Sequence, residues 1–119
     1  MVATGREKTD ARITKLKRER TALLAELGSM AEIIHASWLE RYSTCARKDC
    51  ACHRGKKHGP RYYVVIGEGG RQRQKYVPLS QVDIVRAGVE QARRAQTIMH
   101  RITLINVELM RQEVLHERP

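Results

Sequence analysis

The sequence contains no phenylalanine and few aromatic residues of any kind. One tryptophan and four tyrosines make up the whole aromatic complement, and all five lie between Trp38 and Tyr76. A hydrophobic core must therefore be built from Leu, Ile, Val, Met and Ala. Such a composition fits long helices packed along a narrow seam better than a β-sandwich.

Long apolar runs and paired cysteines are also missing. No apolar run approaches the ~18 residues that cross a bilayer, and residues 1–20 are too polar for a signal peptide. Three cysteines cannot form a complete set of disulfides, which favours a reducing compartment. With 119 residues, the chain is expected to be a single domain, residues 1–119, in the cytoplasm.

Acidic side chains are scarce in the middle of the chain. Residues 41–80 hold ten basic residues but only two acidic ones, Asp49 and Glu68. Residues 1–40 and 81–119 are nearly balanced, so most of the net charge of +10 lies in the middle segment. Such a concentrated basic patch indicates a polyanionic partner. The alternative is a solvated charged surface.

Two segments show helical periodicity. Residues 1–42 are predicted to form an N-terminal helix, with the pattern clearest from Thr9 to Tyr42. Residues 79–119 are predicted to form a C-terminal helix, with Ser80 and Asp83 as a capping pair. The apolar stripe of this second helix is expected to contain Val82, Val85, Val89, Ala92, Met99, Ile102, Ile105 and Leu109.

The segment between the helices has a different character. Residues 43–60 have almost nothing to bury, so they are disordered or organised by something other than a hydrophobic core. Residues 61–78 are predicted to form a β-hairpin, because two β-prone runs flank the glycine-rich connection Gly67–Gly70.

The predicted fold is therefore mostly α with a small β-hairpin. Two long helices flank the hairpin, and we expect them to fold back on each other as an antiparallel pair with coiled-coil-like packing. One side of each apolar stripe would remain exposed in a single helical hairpin. A homodimer with a four-helix core is therefore expected, although a helical protein partner would cover the stripes equally well.

Three thiols and a histidine follow one another closely in residues 43–60, which we call the knuckle. The pattern is Cys45-x4-Cys50-x-Cys52-x5-His58, and a Cys3His set is a common structural zinc site. His53 is the alternative fourth ligand. His58 is preferred, because two consecutive residues such as Cys52 and His53 rarely bind the same ion without strain. Reduced thiols packed as small residues are the rival interpretation, and the knuckle offers them no apolar surface. A redox pair would usually show Cys-x-x-Cys, which is absent.

Basic residues surround the cysteines and continue into the hairpin. In the second strand of the hairpin, three cations share a face with Val77 and repeat about every 6.8 Å, a spacing suited to a phosphate backbone. The alternative is an edge strand kept soluble by charge. Tyr62, Tyr63 and Tyr76 offer rings for stacking on bases, but at least two of them are expected to pack. The predicted nucleic-acid contacts are Arg47, Lys48, Arg54, Lys56, Lys57, Arg71, Arg73 and Lys75.

The order of residues from Cys45 onward resembles that of an uncharacterised family of small bacterial proteins. The shared pattern is C-x4-C-x-C-x2-G-x2-H-G-P, followed by aromatic residues and then by the exit Tyr76-Val77-Pro78. Arg61 departs from the family pattern, which has an aromatic residue directly after Pro60. The resemblance covers about two-thirds of the chain. It implies a recurring module, often encoded near transposases and other mobile elements, and no established activity.

These patterns together predict a zinc-stabilised nucleic-acid-binding accessory protein without catalytic activity. DNA is expected in preference to RNA, and a recombinase or transposase is an expected associate. The alternative function is a coiled-coil adaptor that binds a protein partner through its helical seam. No association with a membrane is expected, because no apolar run is long enough to cross a bilayer. No small-molecule substrate is expected, because the sequence shows no group of acid, base or nucleophile residues typical of an active site.

Overall fold

The computed structural model describes residues 5–116. The parts of the predicted helices at 1–4 and 117–119 lie outside the described residues. Two helices and a three-stranded antiparallel sheet follow one another along the chain: α1 (Gly5–Gly28), β1 (Ser37–Ser43), β2 (His58–Glu68), β3 (Arg71–Val77) and α2 (Val82–Arg111). The helix-rich fold with a β-hairpin is thus confirmed, with one more strand than predicted.

Helix α1 ends at Gly28, earlier than predicted, and the expected helix over residues 29–42 is wrong. The chain leaves the helix where the Ser29 N–H bonds to the carbonyls of both Ala25 and Glu26. Strand β1 follows and pairs with β2, with Trp38 opposite Val64. The apolar spacing of this segment fits a helix locally. Pairing with residues of β2 that lie 15 to 28 positions later in the chain nevertheless determines its conformation.

The hairpin of β2 and β3 is confirmed, with a tighter turn and a longer first strand than predicted. Glu68 pairs with Arg71, so only Gly69 and Gly70 form the turn. Both glycines have positive φ, 59° and 78°, as the favoured two-residue hairpin turns require. Strand β2 begins at His58, three residues before the predicted start, and this brings the last candidate metal ligand into the sheet.

Residues 32–93 form one compact unit built around the sheet. Val64, Val77 and Val89 are buried together, which places the start of α2 against one face of the sheet. The segment before β1 also packs here, because the Ile34 N–H donates to the carbonyl of Gly88 at 3.1 Å. Helix α2 is preceded by a short 3-10 turn, Leu79–Gln81. Ser80, the predicted N-cap, lies inside this turn and not directly before the helix, which begins at Val82.

Residues 1–31 and 94–119 form the second compact unit, described here for 5–31 and 94–116. Ile98, Ile105 and Leu109 of α2 are completely or almost completely buried. The predicted apolar stripe is wrong at Met99, which is 58% exposed, whereas Ile98 next to it has no exposed surface. After Ala92 the next buried residues are Ala95 and Ile98, each three positions further along. The predicted stripe went directly from Ala92 to Met99, seven positions on, and so placed the buried position one residue too late.

Salt bridges link the two helices within this unit. Their order is reversed along the two segments: Glu26 with Arg94, Glu19 with Arg101 and Arg12 with Glu108. Over residues 5–116, neither helix is sufficiently long and apolar to cross a membrane.

Candidate metal centre and basic surface

The knuckle is the connection between two paired strands. Ser43, at the end of β1, lies opposite His58, at the start of β2, so the sheet holds the two ends of the loop together. Within the loop, Ala51–Arg54 form one 3-10 turn, which ends at Gly55 with a left-handed φ of 100°. This backbone brings residues from both sides of the loop to one point.

Cys45, Cys50, Cys52 and His58 meet at that point. Their ligand atoms all lie within 4.8 Å of one another. The sulfurs of Cys45 and Cys52 are 3.6 Å apart, and the Cys50 sulfur is 3.3 Å from Nε2 of His58. Zinc–sulfur bonds of about 2.3 Å in a tetrahedron place two sulfurs about 3.8 Å apart. The cluster thus has the size of a tetrahedral metal site, and its sulfurs are too far apart for a disulfide of about 2.05 Å.

The protein surroundings shift the pKa values of two of the thiols in opposite directions. The Cys45 N–H donates to the sulfur of Cys52 at 3.2 Å. Hydrogen bonding, first from the Cys52 backbone and then from the neighbouring thiols and His58, lowers the pKa of Cys50 to about 7. Burial is the largest influence on Cys52 and raises the pKa of that thiol. Of these two thiols, Cys50 therefore more easily supplies the thiolate form that binds metals.

The two histidines of the knuckle have different surroundings. The ring of His58 lies among the thiols, whereas Nε2 of His53 is 2.8 Å from the backbone carbonyl of Cys45. The His53 ring N–H donates to that carbonyl and thereby holds the backbone of a ligand residue in place. Of the two alternatives that the sequence left open, the structure brings His58 to the thiols.

Three thiolates and one imidazole suit a structural zinc ion. Four protein ligands fill a tetrahedron, so a metal held by all of them has no open position for a substrate or a reactive water. Such an ion would supply the cross-link that a loop without a hydrophobic core lacks.

The predicted basic residues of the knuckle are exposed around this cluster. Within residues 5–116 none of them forms a salt bridge, and Asp49 is the one acidic residue of the loop. These five cations are Arg47, Lys48, Arg54, Lys56 and Lys57. The loop therefore presents a compact surface of unneutralised positive charge.

The three predicted cations of β3 lie on the same sheet face as Val77, which is buried against α2. Glu68 occupies this face as well and forms salt bridges with Arg73 at 3.8 Å and Lys75 at 3.4 Å. Arg71 forms no salt bridge within the described part of the chain. The predicted row of three cations exists, but two of its members already share an acidic partner.

The opposite face of the sheet carries two arginines that the sequence analysis did not select, beside two of the tyrosines that it named. Arg41 of β1 lies directly across from Arg61 of β2, and Tyr63 lies directly across from Tyr76. Interpreting β1 as helix concealed the Arg41–Arg61 pair, and Ser37–Ser43 shows no alternation of apolar and polar residues that would have indicated a strand. Tyr62 packs against the core, as expected for at least two of the three tyrosines. Tyr76, by contrast, is 57% exposed.

A family model described as "Domain of unknown function (DUF6788)" matches residues 11–87, well over half of the chain. The chain belongs to this family. No curated protein and no solved structure matches it.

The DUF6788 match contains every part of the candidate site. All three strands, the knuckle and the four clustered ligand residues lie inside it, together with the start of α2 as far as Ala87. The predicted resemblance to an uncharacterised family is thus confirmed. The centre described above lies within the DUF6788 domain rather than in a segment outside it.

Proposed function

We propose that this DUF6788 protein is a zinc-stabilised nucleic-acid-binding accessory protein, with DNA as the expected partner and no catalytic role. The observation that carries the proposal is the set of five exposed knuckle cations, without acidic partners in residues 5–116, around a Cys3His cluster. A structural metal would fix these charges in one arrangement, and phosphates are the polyanion that such an arrangement suits.

The proposed zinc ion would be bound by Cys45, Cys50, Cys52 and His58. What supports zinc among the metals is the donor set, since three thiolates with one imidazole in a tetrahedron are typical of structural zinc. The proposed cellular context is a mobile element, in which the protein would assist a recombinase or transposase. That part rests on the resemblance of the Cys45–Tyr62 pattern to small bacterial proteins.

The proposed assembly is a homodimer in which two antiparallel helix pairs form a four-helix core. The reversed order of the three salt bridges between α1 and α2 supports the antiparallel pair. Exposed apolar side chains on α2 support further association, because Met99, Val107 and Met110 are each more than two-fifths exposed. Val107 and Met110 are neighbours on the helix surface, and Met99 lies about two turns before Val107 on the same side of the helix.

Binding to labelled duplex DNA at several salt concentrations tests the proposal. The variant K48Q/R54Q/K57Q removes three knuckle cations, and K8Q/K15Q/R18Q removes three exposed cations of α1 as a matched control. Each lost phosphate contact should reduce the slope of log affinity against log salt by about 0.9. We expect the knuckle variant to lose affinity and slope while the control keeps both. Equal effects of the two variants, or no binding of either duplex or single-stranded DNA at low salt, would refute the proposal.

A second candidate function is a non-catalytic coiled-coil adaptor. The exposed apolar side chains of α2 favour it, because they would bind a helical partner as readily as a second copy. The variant M99D/M110D separates the two functions. An adaptor loses its protein partner with M99D/M110D and keeps it with K48Q/R54Q/K57Q. A nucleic-acid-binding protein loses DNA affinity with K48Q/R54Q/K57Q, and M99D/M110D lowers that affinity only as far as binding depends on the dimer.

A further inference from the structure

The sheet face that points away from the hydrophobic core has an unusual composition. We call it the open face; it carries Ser37, Leu39, Arg41, Arg61, Tyr63, Val65, Gly67, Gln72, Gln74 and Tyr76. Two of these residues are cations and none is acidic. Every one of these side chains is exposed or half-buried in the described structure. The opposite face, by contrast, has its acidic partners Glu40 and Glu68.

The two arginines of the open face lie directly opposite each other on neighbouring strands. Arg41 pairs in register with Arg61, and directly opposed side chains have Cβ atoms about 4.5–5.5 Å apart. Like charges in that position destabilise a sheet, and neither arginine forms a salt bridge within residues 5–116. An anion bound between the two guanidinium groups would remove the repulsion.

Two tyrosine rings lie beside this arginine pair. Tyr63 and Tyr76 are directly opposed, with ring centroids 5.8 Å apart in an edge-to-face arrangement. The Arg41 guanidinium lies 5.6 Å from the centroid of the Tyr63 ring. The rings and the cation therefore form one continuous patch, and the flanking Gln72 and Gln74 add amide donors and acceptors.

The aromatic residues on the other face of the sheet are covered by an arginine of α2. Trp38 and Tyr62 also pack against each other, at 5.4 Å. Arg86 of α2 covers them at 4.8 and 5.9 Å and also bonds to Glu40. That pair is closed by a helix and by an ion pair. On the open face, Arg41 lies over Tyr63 without an acidic partner in residues 5–116, and Tyr76 exposes more than half of its surface.

The position of the patch connects it to the knuckle. Arg41 and Arg61 occupy the ends of β1 and β2 that lead into the loop holding the five unpaired cations. A polyanion bound to the knuckle would therefore extend along the sheet past the arginine pair and toward the tyrosines.

We propose that the open face binds single-stranded nucleic acid, with bases stacked on Tyr63 and Tyr76 and the phosphate backbone held by Arg41 and Arg61. The inference rests on the proposed function and specifies its substrate. A base can stack on a protein ring only when it is free of a duplex, and base–aromatic stacking with nearby cations is the usual means of binding single strands.

The test uses the zinc-loaded full chain with labelled oligo(dT), oligo(U) and a DNA duplex. The variant Tyr63→Leu/Tyr76→Leu removes the aromatic rings and keeps apolar bulk, whereas Tyr63→Phe/Tyr76→Phe keeps the rings as a matched control. Each lost ring should weaken single-strand binding by roughly 5- to 150-fold, and duplex binding should not change. The Phe variant should bind as the wild type does. The two oligonucleotides distinguish DNA from RNA as the source of the strand.

Other outcomes would overturn the inference. If the Leu variant binds single strands as tightly as the wild type while K48Q/R54Q/K57Q weakens binding, the proposed function stands and the open face is not its surface. If the wild type binds neither single strands nor duplex, both proposals fail. If the Leu variant instead changes the oligomeric state in light scattering, the open face is a contact between copies of the chain. Thermal unfolding of all variants shows whether a lost affinity reflects a lost fold.

Discussion

At the scale of single residues, the knuckle gives different roles to two histidines only five positions apart. The His58 ring lies among the thiols, whereas His53 supports the Cys45 carbonyl. We expect His58→Ala to weaken binding of the proposed zinc ion well beyond the effect of His53→Ala, because it removes a ligand and leaves the fourth position to water. His53→Ala should keep one zinc per chain with an affinity about 10- to 100-fold weaker, the usual effect of losing a supporting hydrogen bond.

Elemental analysis for stoichiometry and competition with a chromogenic chelator for affinity measure both effects. The assignment fails if the two variants behave alike, or if His53→Ala is the one that loses the metal.

At Gly59, beside the candidate ligand His58, the backbone leaves no room for a side chain. Its φ is +133°, and a Cβ there would lie 2.7 Å from the carbonyl oxygen of Arg41. We expect Gly59→Ala to lower the free energy of unfolding by about 1–3 kcal/mol. The alanine must adopt a backbone conformation that L residues rarely adopt, and its Cβ would press against the Arg41 carbonyl oxygen. Urea unfolding of the zinc-loaded protein measures the change.

Gly67→Ala is the matched control, because a Cβ at Gly67 meets nothing within 4 Å. A stability of Gly59→Ala equal to that of this control would show that β1 and β2 are less closely apposed there than the structure indicates.

At the scale of elements, α2 contains a glycine that local helix propensity disfavours. Replacing a mid-helix glycine with alanine usually stabilises by about 1 kcal/mol. At Gly88 a Cβ would collide with the carbonyl oxygen of Glu32 and lie 3.1 Å from two side-chain carbons of Ile34. We therefore expect Gly88→Ala to destabilise the protein, despite the better propensity.

Gly28→Ala provides the comparison, because Gly28 ends α1 and a Cβ there meets open space. Thermal unfolding should show opposite signs, with an unchanged or higher melting temperature for Gly28→Ala and a lower one for Gly88→Ala. The same sign for both variants would contradict the close crossing of the segment before β1 over α2.

The salt bridges between α1 and α2 predict a dependence of stability on pH. Hydrogen bonds from Arg101 and Arg94 lower the pKa values of Glu19 and Glu26 below the ordinary value of 4.5. A carboxylate with a lowered folded-state pKa stabilises the fold above its unfolded pKa, and this contribution disappears as pH falls through the folded value. We expect Glu19→Gln/Glu26→Gln to show a smaller drop in melting temperature than the wild type as pH falls from about 6 to about 3.

Asp10→Asn/Glu113→Gln removes two exposed carboxylates as a control, and its pH profile should follow that of the wild type. If all three profiles coincide, these salt bridges do not contribute to the acid sensitivity of the protein.

The elements also show which features the sequence could predict. The knuckle was predictable because its ligands lie within Cys45–His58, so their spacing alone brings them together. The hairpin was predictable for the same reason, since a glycine-rich turn joins adjacent strands. Strand β1 was not predictable, because its partner in β2 lies beyond the whole knuckle. Without β1, the pairing of Arg41 with Arg61 and the identity of the two sheet faces remained hidden. The phase of α2 was lost at Met99, where the spacing of buried residues changes.

At the scale of the whole molecule, metal removal should affect the two compact units differently. The knuckle has no apolar core, and Cys52 is its only buried residue among those described. The unit formed by α1 and the end of α2 buries Ile98, Ile105 and Leu109 without help from a metal. We expect a strong chelator to abolish nucleic-acid binding while most of the helical circular dichroism signal remains.

Adding zinc back should restore binding in the wild type. A Cys45→Ser/Cys50→Ser variant should bind weakly whether or not zinc is present. Full binding by the chelated wild type would mean that the knuckle keeps its arrangement without a metal.

If a metal ion bound by Cys45, Cys50, Cys52 and His58 holds the knuckle together, most other knuckle positions should tolerate substitution. The ligand residues, His53 at the Cys45 carbonyl, and Gly55 with its left-handed backbone set the path of the chain. The five exposed cations between them form no salt bridge within residues 5–116. Substitution of these cations should therefore change charge and shape without a large loss of stability, and a library randomised at their positions would be a direct route to new binding specificities.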